Sequence, residues 1–166
     1  MQLDNLKIHN LTSYLPHIQD PNVSSNAAIV VYFGSTPFSA AVGDLVSVTG
    51  TITEYYDVTQ ISVANESDFS VTGSGTVAAT VLTTMPSDWE VYESMFLTIE
   101  GVTVDSGPDS NGNFATDWGI VLSDYWFADL GNNISVGNSY HFTGIVNYYS
   151  GSFELLMDDS SDIVAQ

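Results

Sequence analysis

Apolar positions along this chain fall into short unbroken runs and stretches of strict alternation, the two signatures of β-strands. AAIVVYFGS, from Ala27 to Ser35, is a continuous apolar, β-branched and aromatic run of the length of a buried strand. Further on, Val46, Val48 and Ile52 point one way while Ser47, Thr49 and Thr51 point the other. Gly50 interrupts this alternation where a bulge or sharp coil lets a strand bend around a small barrel. Leu97 and Ile99 alternate against Phe96, Thr98 and Glu100, and the pattern resumes after Gly101. WGIVLSDYWF, ISVGNSYHFTGIVNYY and FELLMDD continue this second set, which has about the five strands a small Greek-key barrel needs. Near the start, Leu3, Leu6, Ile8 and Leu11 suit either a short strand or a helix, and a turn follows at Asp20 and Pro21. Ala64 to Thr76 reads as a junction and TVAATVLTTMP as an extended crossing segment. Ser87 and Glu90 have the spacing of a capping box for one helical turn.

Two of these stretches are copies of each other. VGDLVSVTGTITEYYDVTQI (Val42 to Ile61) and VGNSYHFTGIVNYYSGSFELL (Val136 to Leu156) share Val-Gly-Asp/Asn, Thr-Gly, an aliphatic residue and Tyr-Tyr. Gly43 and Gly137, like Gly50 and Gly144, lie 94 residues apart (137 − 43 and 144 − 50). The second copy is one residue shorter before its tyrosine pair. Tyr140 and Phe142 take the places of Val46 and Val48, so the apolar face keeps its character, and His141 faces the other side. The repeat predicts an all-β protein of two tandem small Greek-key, OB-like barrels, residues 1–72 and 73–166. In the first barrel, either the opening strand is missing or residues 3–11 supply it.

Composition narrows what such barrels can do. One Lys, no Arg and 20 Asp plus Glu give a formal charge of -19 over 166 residues. Nucleic acids are held chiefly by Lys and Arg at phosphates, so this chain alone is expected to repel them. Charged residues are nevertheless only 13 %, and Ser, Thr, Asn and Gly carry solubility, a profile that suits an extracellular or cell-surface protein. With no Cys there is no disulfide and no thiolate metal site. No run approaches the ~18 apolar residues of a spanning helix, and MQLDNLKIHN lacks the regions of a signal peptide.

IQDPN at 18–22, the IVVYFGS run and VGDLVSVTGTITEYYDVTQIS resemble the OB-fold modules of secreted bacterial nucleases of the endonuclease/exonuclease/phosphatase type. YESMFLTIEGVTV followed by WGIVLSD is similar to the module that comes next in such proteins. The resemblance implies an accessory β-module. It brings no catalytic domain, because that domain is a separate α/β unit with its own carboxylates and histidines.

The candidate chemistry is correspondingly non-catalytic. Tyr55, Tyr56, Tyr148 and Tyr149 recur in the two copies, and aromatic residues on OB folds serve as stacking platforms. Packing of one tyrosine in each barrel with the other on its rim accounts for them too. Asp105, Asp109, Asn111, Asn113 and Asp117 space side-chain oxygens as Ca²⁺ ligands are spaced, around Gly112, but without the terminal Glu of an EF-hand. A solvated Asn/Gly/Asp turn explains that loop equally well. Asp158, Asp159 and Asp162 form a second acidic group read as a solvated loop. His9, His17 and His141 are scattered singly and make no zinc site without Cys. Two of the six glutamates Glu54, Glu66, Glu90, Glu93, Glu100 and Glu154 could in principle pair as acid and base, but linear sequence shows no two that converge.

The expectation is therefore a non-catalytic extracellular module, not an enzyme, accompanying a secreted nuclease-type protein. Two alternatives stand beside it: a structural subunit of a filament or matrix assembled by strand exchange and calcium bridging, and a carbohydrate-binding module. The partners expected are a protein or a second copy at an open sheet edge, with no membrane and with nucleic acid not expected for this chain alone.

Overall fold

The computed structural model describes residues 1–10 and 15–166; nothing is described of the side chains of Asn5 and Asn10. The expectation for Leu11 lies outside the described residues. The protein is all-β, and the helical segments described are three-residue 3-10 turns. The chain divides into two compact units, Met1–Ala78 with Tyr92–Met95, and Ala79–Val91 with Phe96–Gln166. Among the described residues no helix is long and apolar enough to cross a membrane.

In the second unit β9 (Phe96–Ser106), β10 (Phe114–Thr116), β11 (Val121–Ser123), β12 (Ser139–Tyr149) and β13 (Ser152–Leu156) form a closed five-stranded barrel in the order β9-β10-β11-β13-β12-β9. Within this ring β11 and β13 run parallel and every other pair antiparallel. β14 (Ile163–Ala165) adds to β12, and β8 (Thr80–Leu82) adds in parallel to β9. β8 is the crossing segment and β10 lies inside what reads as a loop in the sequence. The core is filled from the alternate positions of β9 and β12: Leu97, Ile99, Val102 and Val104 against Phe142 and Ile145, all at most 1 % exposed. Gly101, at φ +73°, and the bulge beside it reverse the phase of β9, which is why the apolar pattern resumes after it.

The first unit repeats that connectivity. β1 (Gln2–Asn10) supplies the opening strand, so the missing-strand alternative is corrected: its leucines and isoleucine take strand period, with Ile8 fully buried. β2 (His17–Gln19), β3 (Ala28–Tyr32), β4 (Asp44–Thr49), β5 (Thr51–Tyr55), β6 (Val58–Ser62) and β7 (Phe69–Ser74) give the sheet order β5-β6-β3-β2-β1-β4-β7. β4, beside β1, and β5, at the β6 edge, are one bent strand interrupted only at Gly50, so the chain itself links the β1 side of the sheet to its β6 side. β3 and β6 run parallel, as β11 and β13 do. Val46 and Val48 are fully buried as their pattern requires, whereas Ile52 beyond the bend is 37 % exposed.

The repeat is closer in space than in sequence. The amide of Gly43 donates to the Ile8 carbonyl (2.9 Å) and that of Gly137 to the Val104 carbonyl (2.8 Å). Gly50 and Gly144 each press on the backbone of the neighbouring strand: a Cβ would meet the Ser62 carbonyl oxygen at 2.4 Å in one and the Leu156 carbonyl oxygen at 2.5 Å in the other. Those two carbonyls are again 94 residues apart (156 − 62). Two 3-10 turns continue the match. Asp68 Oδ2 accepts from the Asn65 amide at 3.1 Å and Asp162 Oδ2 from the Asp159 amide at 3.3 Å, a capping box in each unit. The Asp158–Asp162 acidic group is thereby explained as a cap, with Asp159 held below the usual carboxylate range by its hydrogen bond from Ser161. At the Glu90–Tyr92 turn, Asp88 Oδ1 accepts from the Glu90 amide at 3.0 Å.

Candidate functional site

Two loops at one end of the second barrel frame a concave face. Between β9 and β10, Asp109 Oδ1 accepts from the amides of Asn111 (2.8 Å) and Asn113 (3.0 Å), and the Asp109 amide donates to the Asn113 carbonyl. The loop is thus built by an Asx turn. Gly112 closes it at φ +87°, a backbone conformation that side chains disfavour, and a Cβ there would stand 2.0 Å from Asp124 Oδ2, so that carboxylate would have to move aside. The other frame is the β12–β13 hairpin, where Tyr149 pairs with Ser152 and Ser150 and Gly151 both have positive φ, a two-residue primed turn.

Between them lies a cavity of about 720 Å³. Its lining holds three carboxylates (Asp109, Asp124, Glu154), three amides (Asn111, Asn113, Asn147) and two tyrosines, Tyr125 and Tyr149. Glu154 sits in β13 opposite Asn147 and is only 7 % exposed. Burial pushes its carboxyl above the usual range. Hydrogen bonds from Ser123 and Asn147 oppose that push, and the nearby charges of Asp109 and Asp124 reinforce it. The strands that line the cavity are β11 (Val121, Ser123), β12 (Asn147, Tyr149) and β13 (Ser152, Glu154). It carries no cation, since the chain's one Lys, Lys7, is in β1 of the first unit.

The structure sorts the residues singled out in the sequence. Of the five oxygen donors, Asp109, Asn111 and Asn113 converge on the cavity; Asp105 is exposed, and Asp117 Oδ1 instead accepts from the Thr103 amide at 2.8 Å. Among the described residues no three His, Cys, Asp or Glu side chains have metal-ligand spacing. The tyrosine pairs are not equivalent. Cross-strand registers match Ile52 with Ile61 and Val146 with Leu155, so the 94-residue offset runs unbroken through both hairpins and the second copy is not shortened. Tyr55 corresponds to Tyr149 (149 − 55), Tyr56 occupies the turn itself, and Tyr148 packs edge-on against Phe153 at 5.1 Å. Only Tyr149 of the four lines the cavity; Tyr55 and Tyr56 form an exposed T-shaped pair at the other unit's hairpin, centroids 4.6 Å apart.

His9 and His17, eight residues apart (17 − 9), come together on the paired strands β1 and β2, both buried. Burial brings each imidazole down to about 4, helped by Lys7 beside His9 and by His9 beside His17. His141 has Nε2 within 3.2 Å of Gln166 Nε2. The sequence reading missed Asp124, Tyr125, Asn147 and the role of Glu154. One signal was present: Glu154 is a carboxylate inside the apolar run FELLM, where a charged residue is rarely buried without partners. No family model matches the chain, and no curated protein matches it either.

Proposed function

We propose that the chain is a non-catalytic extracellular recognition module whose second barrel binds a neutral polyhydroxylated polymer, a carbohydrate, in the cavity between the β9–β10 loop and the β12–β13 hairpin. The observation that carries this reading is the cavity lining, with three carboxylates, three amides and two tyrosines. Planar carboxylates and amides accept and donate to pairs of hydroxyls, and a tyrosine ring covers the apolar face of a sugar ring. The same lining opposes phosphate, because there is no cation to neutralise it. Support for an extracellular accessory role comes from the polar, Lys- and Arg-poor composition and from the sequence likeness to OB modules of secreted nucleases.

A second reading draws on one feature of the same place. Asp109 and Asp124 both raise the cost of charging Glu154, and a calcium ion would relieve that repulsion, as a structural, calcium-bridged subunit requires. Calorimetric titration separates the two. Neutral oligosaccharides are expected to bind without calcium, with Tyr149→Ala weakening affinity about 10-fold, the scale of losing one stacking platform. Binding of calcium alone with no oligosaccharide response favours the second reading. Binding of single-stranded DNA at physiological salt overturns the first.

A further inference from the structure

We infer that Glu154 is the specificity-determining residue of the cavity: its carboxylate accepts two adjacent hydroxyls of one sugar ring, so the polymer bound is one whose rings carry a free vicinal diol. This inference rests on the carbohydrate reading above and names what that site selects.

The repeat supplies the comparison. At the 94-residue offset the counterpart of Glu154 is Gln60 (154 − 60). Gln60 lies in β6 between Thr53 of β5 and Val30 of β3, and Glu154 lies in β13 between Asn147 of β12 and Val121 of β11. Even the side-chain bond to the antiparallel neighbour recurs. Gln60 Nε2 donates to Thr53 Oγ1 at 3.3 Å, and the Glu154 carboxyl accepts from Asn147. The same rung of the same ladder is thus built with a neutral amide, so the fold has no need of a charge there.

The charge also stands in the less favourable of the two places. Gln60 is partly exposed, whereas Glu154 is 7 % exposed. A carboxylate so buried ordinarily has a cation beside it. Among the described residues Glu154 has no Lys or Arg to pair with, and the charges that face it are those of Asp109 and Asp124. A costly group that the fold can replace, placed at a cavity, points to a ligand.

What a carboxylate adds over an amide is acceptor capacity. Its two oxygens offer about four acceptor sites, where an amide has a single accepting oxygen. Ser123 and Asn147 already donate to Glu154, which leaves capacity for two hydroxyls from the cavity. Bonds to an ionised acceptor are roughly twice as strong as neutral ones. Because the two oxygens are joined through one carbon, they match hydroxyls on neighbouring ring carbons. The apolar face of the same ring is left to Tyr149, which lines the cavity and is 66 % exposed.

The test is calorimetric titration of the whole chain with neutral hexasaccharides, in calcium-free buffer at neutral pH. Cellohexaose, xylohexaose and mannohexaose are 1→4-linked and keep a free 2,3-diol on every internal ring. Laminarihexaose is 1→3-linked and keeps no vicinal diol on its internal rings. At least one of the 1→4-linked sugars is expected to bind, and laminarihexaose at least ~10-fold more weakly. Glu154→Gln is expected to weaken the binding at least ~10-fold while raising Tm in a thermal melt, since it removes a buried charge and keeps the shape. A structural role for Glu154 predicts the opposite in the melt, so a lowered Tm for Glu154→Gln overturns the proposal. Undiminished binding by that variant overturns it as well, as does equal affinity for laminarihexaose. Those results leave the carbohydrate reading in place. Silence of every hexasaccharide overturns that reading, and this inference with it.

Discussion

The bend in the long strand of each unit depends on a missing side chain. Replacing Gly144 by Ala places a Cβ 2.5 Å from the Leu156 carbonyl oxygen, 3.0 Å from Leu156 C and 3.0 Å from Leu155 Cγ. Reaching an ordinary contact of 3.4 Å requires the strands to part by 0.9 Å (3.4 − 2.5). Backbone is rigid at that point, where Ile145 pairs with Leu156. Overpacking costs about 1–3 kcal/mol and a weakened ladder bond about 1 kcal/mol more, so about 3 kcal/mol is expected. For a unit of this size that lowers Tm by ~12–24 °C. Gly137→Ala is the comparison, with nothing within 4 Å of its Cβ and φ at +87°. It meets only the left-handed backbone cost of about 1–2 kcal/mol. Thermal melts by circular dichroism measure both, and Gly50→Ala is expected to behave like Gly144→Ala. Without the clash, Ala at Gly144 would stabilise by about 0.4–1 kcal/mol through the unfolded chain. A neutral or raised Tm for Gly144→Ala refutes the close-approach explanation.

Three further outcomes follow from the same geometry. His9 and His17 protonate near 6.5 when unfolded but only at about 4 when folded. The unfolded state therefore binds more protons between those values, and stability should fall as pH drops from 6.5 to 4, by about 3 kcal/mol for each ring. Urea melts across this range check it, and a flat profile contradicts it; Glu154, raised in the fold, works in the opposite direction as pH increases above its unfolded value. Tyr56 and Asp57 both hold positive φ without being glycine, so Asp57→Gly, which copies Gly151 of the other hairpin, should stabilise the first unit by about 1 kcal/mol in denaturant melts. Asp162→Ala removes the acceptor for the Asp159 and Asp158 amides and should cost about 1 kcal/mol in the same assay, with Asp68→Ala matching it in the first unit.

The repeat was legible because the residues that close a barrel are constrained locally: Gly50 and Gly144 by close approach, Gly43 and Gly137 by a turn at positive φ. Alternation likewise exposed the faces of β4 and β9, since one side of each is buried. β10 was hidden because its three residues sit between turn formers, and its pairing depends on strands distant in sequence. Strand register was hidden for a related reason. The visible Tyr-Tyr match suggested a shortened copy, while the ladder keeps Tyr55 with Tyr149 and sends Tyr148 to the other face. The cavity combines residues from three loops and three strands, so local signatures were limited to its Asx turn, Asp109 to Asn113, and to the carboxylate of Glu154 within an apolar run. Asp105 and Asp117 shared the composition of that turn without sharing its position.

A face framed by the β9–β10 and β12–β13 loops, rich in carboxylates, amides and tyrosine, is the feature on which the functional account rests. Its most direct measurement is an NMR titration of the whole chain with neutral oligosaccharides in calcium-free buffer. The account predicts saturable shifts confined to the lining, at Asn111, Asn113, Asn147, Tyr149 and Ser152, and their loss in Tyr149→Ala. Shifts absent from that set, or unchanged by Tyr149→Ala, would contradict it.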